Sequence, residues 1–358
     1  MTGHPKPRRS PARPNQLSSR QRPHLLLSLM VLVAGLVLLA GGSLLLAGCG
    51  SETAETSTTA APATSTTAAP AETTTSTVAQ PAEAAFPVQV TDDNGTKVDI
   101  PAKPMRIVST APANTWTLFA LGVGDRVVGT TSLPGEPPEA ANITKIGDFQ
   151  ANTEAIMAQS PDLVVGYSGN EEALAPVKTA GAPVLILNPM SLEQIYRDIE
   201  IVGYATGTAQ KAQEVIDSIM TQVRQVTDAT DKIGSSPKVF YALDNTLWTA
   251  GPGSFVDELL TLVGATNIGS MEGSPAAGQP YFQFTPEQLV AADPDVVLLP
   301  MSTYKSVEEF TSDPRFAGLR AVKEGRVSLV DDVVITQPGP RIGEGVKTLA
   351  EAVYPEAF

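Results

Sequence analysis

The sequence predicts an α/β protein: two Rossmann-like lobes with parallel sheets, joined by a single long bridging helix. Three observations predict it. Short apolar runs alternate with helix-period stretches from residue 106 onward, the pattern of parallel strands linked by crossover helices. The stretch Thr153–Val165 reappears as Pro286–Leu298, each with a glutamate at the head of a one-face-apolar helix and Pro-Asp before a buried strand. A repeat of that size points to two related halves. Between the halves, Val215, Ile216, Ile219, Val223 and Val226 fall at helical spacing, on a segment long enough to lie across both.

In chain order, Val88–Ile100 alternates around Asp93-Asn94-Gly95 and predicts a hairpin with a type I′ turn. Pro101 and Pro104 break the chain before a short buried strand at Arg106–Ser109. Thr115–Leu121 reads as a helix stopped by Gly122. Arg126–Thr130 and Pro161–Tyr167 read as strands, Glu171–Ala180 as a helix closed by Gly181, and Val184–Leu187 as the fourth strand. Ser191–Lys232 predicts two helices separated by Gly203 and Gly207. The second half follows with a strand at Lys238–Leu243 and a helix at Ser254–Val263. Strands at Asp295–Leu299 and Val327–Val330 and a terminal helix at Ile342–Val353 complete it. The expected divisions are a signal at 1–48, a stalk at 49–85, an N-terminal lobe at 86–207, the bridging helix at 208–236 and a C-terminal lobe at 237–358.

The N-terminal segment reads as a secretion signal. Residues 1–24 are basic, Leu25–Ala47 is apolar or small throughout, and the tract ends in Leu46-Ala47-Gly48-Cys49. That ending resembles the bacterial lipobox. The resemblance makes Cys49 the first residue of the mature chain, lipidated and anchored to the outer face of the cell membrane. An uncleaved membrane anchor is the plainer alternative. Residues 51–85 hold 11 Thr, 11 Ala, 4 Ser and 3 Pro, with Val78 the only branched aliphatic. Such a segment cannot offset its ordering entropy by burial, so it is expected to be a disordered stalk.

Composition excludes several functions. The chain of 358 residues carries a net charge of −14, and the basic residues of the signal conceal a more acidic body. Residues 86–358 have 18 basic against 34 acidic side chains, net −16, which repels nucleic-acid phosphates. The two histidines, His4 and His24, and the one cysteine, Cys49, all lie in or beside the signal. The body is therefore expected to have no disulfide, no Cys/His zinc site and no histidine-dependent nucleophile.

Specific segments add to this. They are Arg106-Ile107-Val108-Ser109, Ala111-Pro112-Ala113-Asn114-Thr115, Leu121 to Gly129, both repeat copies, Trp248 to Phe255 and Pro338-Gly339-Pro340-Arg341. In this order and spacing the chain resembles the substrate-binding proteins of ABC importers for vitamin B12, haem and iron–siderophores, across essentially all of 86–358. The resemblance implies a monomer with a ligand cleft between its lobes. It implies no catalytic residue, no intrinsic cofactor and no metal of the protein's own, the ligand itself being the metal chelate. It also implies that Glu154 and Glu287 pair with arginines on the importer's membrane subunits. Thr153 and Thr285 are placed to cap the two helices, which puts each glutamate in a first turn. First-turn acids are common for dipole reasons alone.

Parallel lobes bind ligands outside the carboxyl ends of their strands. Phe149, Tyr167, Trp248, Tyr281 and Phe282 all fall in loops expected there, and flat rings on facing lobes suit a large planar ligand. Each ring alone is as readily rim packing. The resemblance adds Asn114 to the ligand-binding set and makes cobalamin the first choice. Leu133-Pro134-Gly135-Glu136 departs from it where a ring is expected. Haem would need Tyr167, Tyr281 or Met301 as axial ligand. Only Arg341 and Lys305 are placed for an anionic siderophore, which serves a catecholate poorly and leaves a neutral ferric hydroxamate open. Gly251-Pro252-Gly253-Ser254 reads as a helix entry turn rather than an anion cradle. Two other classes stay open: a carboxylate-dependent extracytoplasmic hydrolase and a tethered scaffold.

Overall fold

The computed structural model describes residues 85–358; the signal, Cys49 and the stalk up to residue 84 lie outside them. The first half opens with β1 (Val88–Thr91) and β2 (Lys97–Ile100), paired antiparallel with Thr91 opposite Lys97. The turn between them is not type I′. Asp93 and Asn94 keep negative φ, whereas Gly95 has φ +74°. The Gly95 N–H donates to the Asp92 carbonyl at 2.9 Å. The Asp92 carboxylate accepts from the Asn94 and Thr96 N–H groups at 3.1 and 2.8 Å. This is a type I turn followed by a left-handed glycine, the other common hairpin solution.

Four strands follow: β3 (Ile107–Ser109), β4 (Val127–Gly129), β5 (Leu163–Tyr167) and β6 (Val184–Leu187). They form a parallel sheet in the order β4-β3-β5-β6. The helices of this half are α1 (Pro112–Ala120), α2 (Thr153–Ala158), α3 (Glu171–Thr179) and α4 (Leu192–Thr206). α1 begins three residues earlier than expected because Pro112 suits a first helical position.

The long helix is α5 (Ala209–Thr230). The second half contains β7 (Lys238–Tyr241), β8 (Trp248–Ala250), α6 (Phe255–Leu262), β9 (Thr266–Asn267), β10 (Tyr281–Gln283), α7 (Pro286–Ala292) and β11 (Val296–Pro300). It ends with α8 (Glu308–Thr311), α9 (Arg320–Lys323), β12 (Val327–Val330), α10 (Asp332–Thr336) and α11 (Ile342–Val353). Its parallel sheet runs β12-β11-β7-β9, the same topology as the first. The α/β class and the two parallel sheets are thus borne out. In each sheet the two central strands send their connections in opposite directions, which opens a crevice at the ends of β3 and β5 and of β7 and β11. Among the described residues no helix is long and apolar enough to cross a membrane.

α5 packs against α4 on one side and α11 on the other. Its Ile216, Ile219 and Val226 belong to one continuous core that reaches from Ile107 in the first sheet to Leu349 in the last helix. Gly207 ends α4 with φ +73°, as expected of a left-handed cap. Gly203 does not separate the helices; it lies inside α4, where a Cβ would come 2.5 Å from the Cβ of Ala212. Its missing side chain is what lets α4 and α5 close on each other.

The hairpin docks where β6 ends. The Asp93 carboxylate accepts from the Asn188 N–H at 2.6 Å and from Arg197 of α4 at 2.7 Å. Beside it, Asp198 is only 5% exposed, and no donor reaches either of its carboxyl oxygens. Its carboxyl is pushed up to about 8, first by burial and then by the neighbouring Asp93, with Arg197 pulling the other way. Protonated, Asp198 can donate one hydrogen bond to Asp93.

Two outcomes follow from this packing. Ile219→Ala should cost about 2–5 kcal/mol and lower a single melting transition, because both halves lean on that side chain; two calorimetric transitions with one unmoved would contradict a shared core. Asp198 sets a pH dependence. An unfolded aspartate titrates near pH 4, so between about pH 4 and pH 8 the folded protein holds a proton that the unfolded chain has lost. Stability from this group therefore falls as pH rises through that window. The melting temperature of Asp198→Asn, relative to the unaltered protein, should climb from pH 5 to pH 9. A constant difference across that range would mean that Asp198 ionises without penalty.

Candidate functional site

The site is built from the ends of the central strands. At the end of β3 the Thr110 hydroxyl accepts from the Tyr167 N–H at 3.0 Å, while the Thr110 N–H donates to Val165 at 3.0 Å. The Asn114 amide donates to the Gly166 carbonyl at 3.0 Å. These contacts fix the end of β5 and the direction in which Tyr167 leaves it. Asn114 is itself 5% exposed, with its amide committed to β5. Its amide nitrogen thus helps to position the end of β5 from which Tyr167 leaves, because a buried amide must satisfy its donors locally.

The two stretches of the second half expected to be loops pair instead as an antiparallel ribbon. Trp248 lies opposite Gln283, Thr249 opposite Phe282 and Ala250 opposite Tyr281. Directly paired residues share a face and neighbours alternate. Trp248 and Tyr281 thus occupy the outward face, and Phe282 the inward one. Phe282 is 7% exposed and packs on Phe284 with ring centroids 5.2 Å apart. It is a core residue, which removes it from the ligand-facing set. Asp244 shapes the approach to Trp248, accepting from the Thr246 N–H at 2.8 Å and the Trp248 N–H at 3.3 Å.

Phe149 sits between Gly147 and Ala151, which bridge across it, and is 46% exposed. Tyr167 and Tyr281 are both half-buried. The Tyr167 phenol is pushed up to about 12, by burial first, then by Tyr281, Asp198 and Asp93. Burial also raises the Tyr281 phenol. Both phenols are therefore neutral at physiological pH. Among the described residues, the ring–ring contacts lie elsewhere, so Phe149, Tyr167, Trp248 and Tyr281 keep their faces free of other rings.

The halves also meet through contacts that the sequence reading did not single out. The Arg341 guanidinium lies 4.8 Å from the Trp116 ring centre and pairs with Glu344 at 2.6 Å. Trp116 donates to the Gly135 carbonyl at 2.7 Å, and Gln337 to the Pro134 carbonyl at 3.2 Å. The 133–136 loop, which lacks the expected ring, is thus held from both sides. Glu258 of α6 accepts from the Leu192 N–H at the start of α4, at 3.2 and 3.3 Å. Burial raises the Glu258 carboxyl, and that backbone hydrogen bond opposes the shift. The signals available were one of only two tryptophans and an arginine closing a Pro-Gly-Pro turn; nothing in the sequence pairs them.

A groove of about 460 Å³ opens between α1, α5 and the start of α11, lined by Trp116, Phe119, Lys211, Glu214, Gln222 and Arg341. None of the expected ligand-facing rings lines it. The Gly251–Ser254 turn is closed by its own helix: the Ser254 hydroxyl accepts from Asp257 at 3.2 Å, and the Asp257 carboxylate from Gly253 at 3.4 Å. An anion there would meet Asp257. No group of three or more acidic, histidine or cysteine side chains placed for a metal occurs among the described residues.

Glu154 and Glu287 are exposed in the first turns of α2 and α7. The cap of α2 is Asn152, not Thr153; its side chain accepts from Ala155 at 3.0 Å, and Thr153 donates to Ala173 instead. Thr285 caps α7 as expected, in a reciprocal box with Gln288. The Glu287 carboxyl is held below the usual glutamate range, first by its own N–H and then by Thr285.

Known proteins place this architecture. A family model described as periplasmic binding protein matches residues 107–334. The chain is 32% identical, over 284 residues, to the uncharacterised ABC transporter substrate-binding lipoprotein YvrC of Bacillus subtilis (strain 168), covering 76% of this chain and 87% of the relative. It is 27% identical to a cobalamin-binding protein of Halobacterium salinarum (strain ATCC 29341 / DSM 671 / R1), covering 77% and 78%. Among solved structures, the apo form of the periplasmic haem-binding protein RhuT from Roseiflexus sp. RS-1 superposes with a TM-score of 0.63 at 28% identity, over 71% of this chain and 99% of that one. With the family model matched from the first central strand to α10 and the topology repeated in both halves, the chain belongs to the periplasmic binding protein family.

Proposed function

We propose that this chain is the substrate-binding lipoprotein of an ABC importer, held outside the cell membrane through Cys49, and that it captures cobalamin between its halves and delivers it to the permease. The observation that carries the reading is a half-buried phenol from each half, both neutral: Tyr167 at the end of β5 and Tyr281 on the outward face of the β8–β10 ribbon. Phe149 and Trp248 extend the ring set, and cobalamin offers a broad, partly apolar macrocycle to it. The names of the Bacillus and Halobacterium relatives support the importer role and the ligand. Capture needs no chemistry from the protein, and the ligand is cargo rather than a cofactor.

Haem is the second reading, favoured by the likeness to RhuT. A neutral ferric hydroxamate is a third outcome of the same test. Release rests on Glu154 and Glu287, which present one carboxylate from each half to arginines of the membrane subunits.

Calorimetric titration of residues 86–358 with cyanocobalamin, haemin and a ferric hydroxamate tests the ligand. One-to-one cyanocobalamin binding is expected, weakened about tenfold or more, roughly 1.4 kcal/mol, by Tyr167→Ala or Tyr281→Ala. An isotherm for haemin or the hydroxamate alone would keep the receptor and replace its ligand. For delivery, Glu154→Gln with Glu287→Gln should leave affinity unchanged and abolish uptake by cells; loss of affinity in that pair would place the glutamates in the cleft instead.

A further inference from the structure

We infer that the membrane partner reads an apolar side chain one turn beyond each docking glutamate, Met157 after Glu154 and Val290 after Glu287, so that each half presents a carboxylate and an apolar knob to the same kind of socket. The inference rests on the docking role proposed above for the two glutamates.

Single exposed apolar residues need no explanation. These two differ because they recur at one position of the internal repeat. Glu154 and Glu287 correspond, as do buried Ile156 and Leu289, and so do Met157 and Val290. Met157 is 45% exposed and Val290 41%. Residues three and four positions apart share a helix face, so Glu154, Met157 and exposed Ala158 make one stripe, and Glu287, Val290 and exposed Ala291 make its copy. The inward residue of each copy satisfies its lobe's core. The outward one satisfies nothing within the chain, and apolar surface left in water is unfavourable.

Charge complementarity fixes the partner's chemistry: a cation for the carboxylate, with an apolar recess beside it. Repetition fixes its form, because two copies of one stripe fit two copies of one socket, as a pair of like membrane subunits supplies.

The test uses the full-length lipoprotein in its host cells, with the photo-crosslinker p-benzoylphenylalanine at Ala158 or Ala291 and adducts identified by mass spectrometry. This readout does not depend on the ligand. Both positions should capture an ABC importer's membrane subunit. Met157→Ser with Val290→Ser should cut that yield tenfold or more, whereas Met157→Leu with Val290→Ile should keep it, separating lost apolar contact from altered folding. Full yield in the serine pair, with loss in Glu154→Gln plus Glu287→Gln, would overturn the apolar knobs and leave docking standing. Full yield in all variants, or no such adduct in the otherwise unaltered chain, would overturn both readings.

Discussion

The fold depends on the burial of one face of α5. Neither half closes its core alone there: Ile216, Ile219 and Val226 join apolar residues that run from the first parallel sheet to the terminal helix. A helix with α4 on one side and α11 on the other restricts how the halves can separate. Wide separation of the halves would break that packing, and interiors at near-crystalline density resist continuous deformation. The absence of a side chain at Gly203 contributes directly, since it sets how closely α4 and α5 approach.

On that frame the crevice is defined by backbone capture at strand ends. Thr110 and Asn114 hold the last residues of β5, and Asp244 holds the loop that delivers Trp248. The polar residues nearest the rings thus aim the aromatic surface, which suits a site whose recognition is mainly apolar. Trp116 and Arg341 close the halves on another side, through a contact between a flat ring and a flat cation.

Much of this was legible in the sequence. Val184–Leu187, Val327–Val330 and Ile342–Val353 are found where they were read, because continuous apolar runs and clean helical periodicity leave little choice. What failed depended on contacts between distant residues. Phe282 read as a cleft ring because the ribbon pairing it with Thr249 is non-local, and only that register turns it inward. Asn152 displaced Thr153 as the cap of α2, a one-residue shift between two competent cap types. Asp198 carried no sequence signal, since its helix position is apolar by period and its neighbour Asp93 comes from the hairpin.

The hydrogen bond from Leu192 to Glu258 means that one half supplies the acceptor for the first turn of a helix in the other. A helix start leaves several N–H groups without partners of their own, and here part of that deficit is met across the molecule. The halves share a topology but are not interchangeable modules. A chimera that takes residues up to α5 from one relative and the remainder from another keeps this contact only if the second parent has a carboxylate at the position of Glu258, since the donor is a backbone N–H that any first parent supplies.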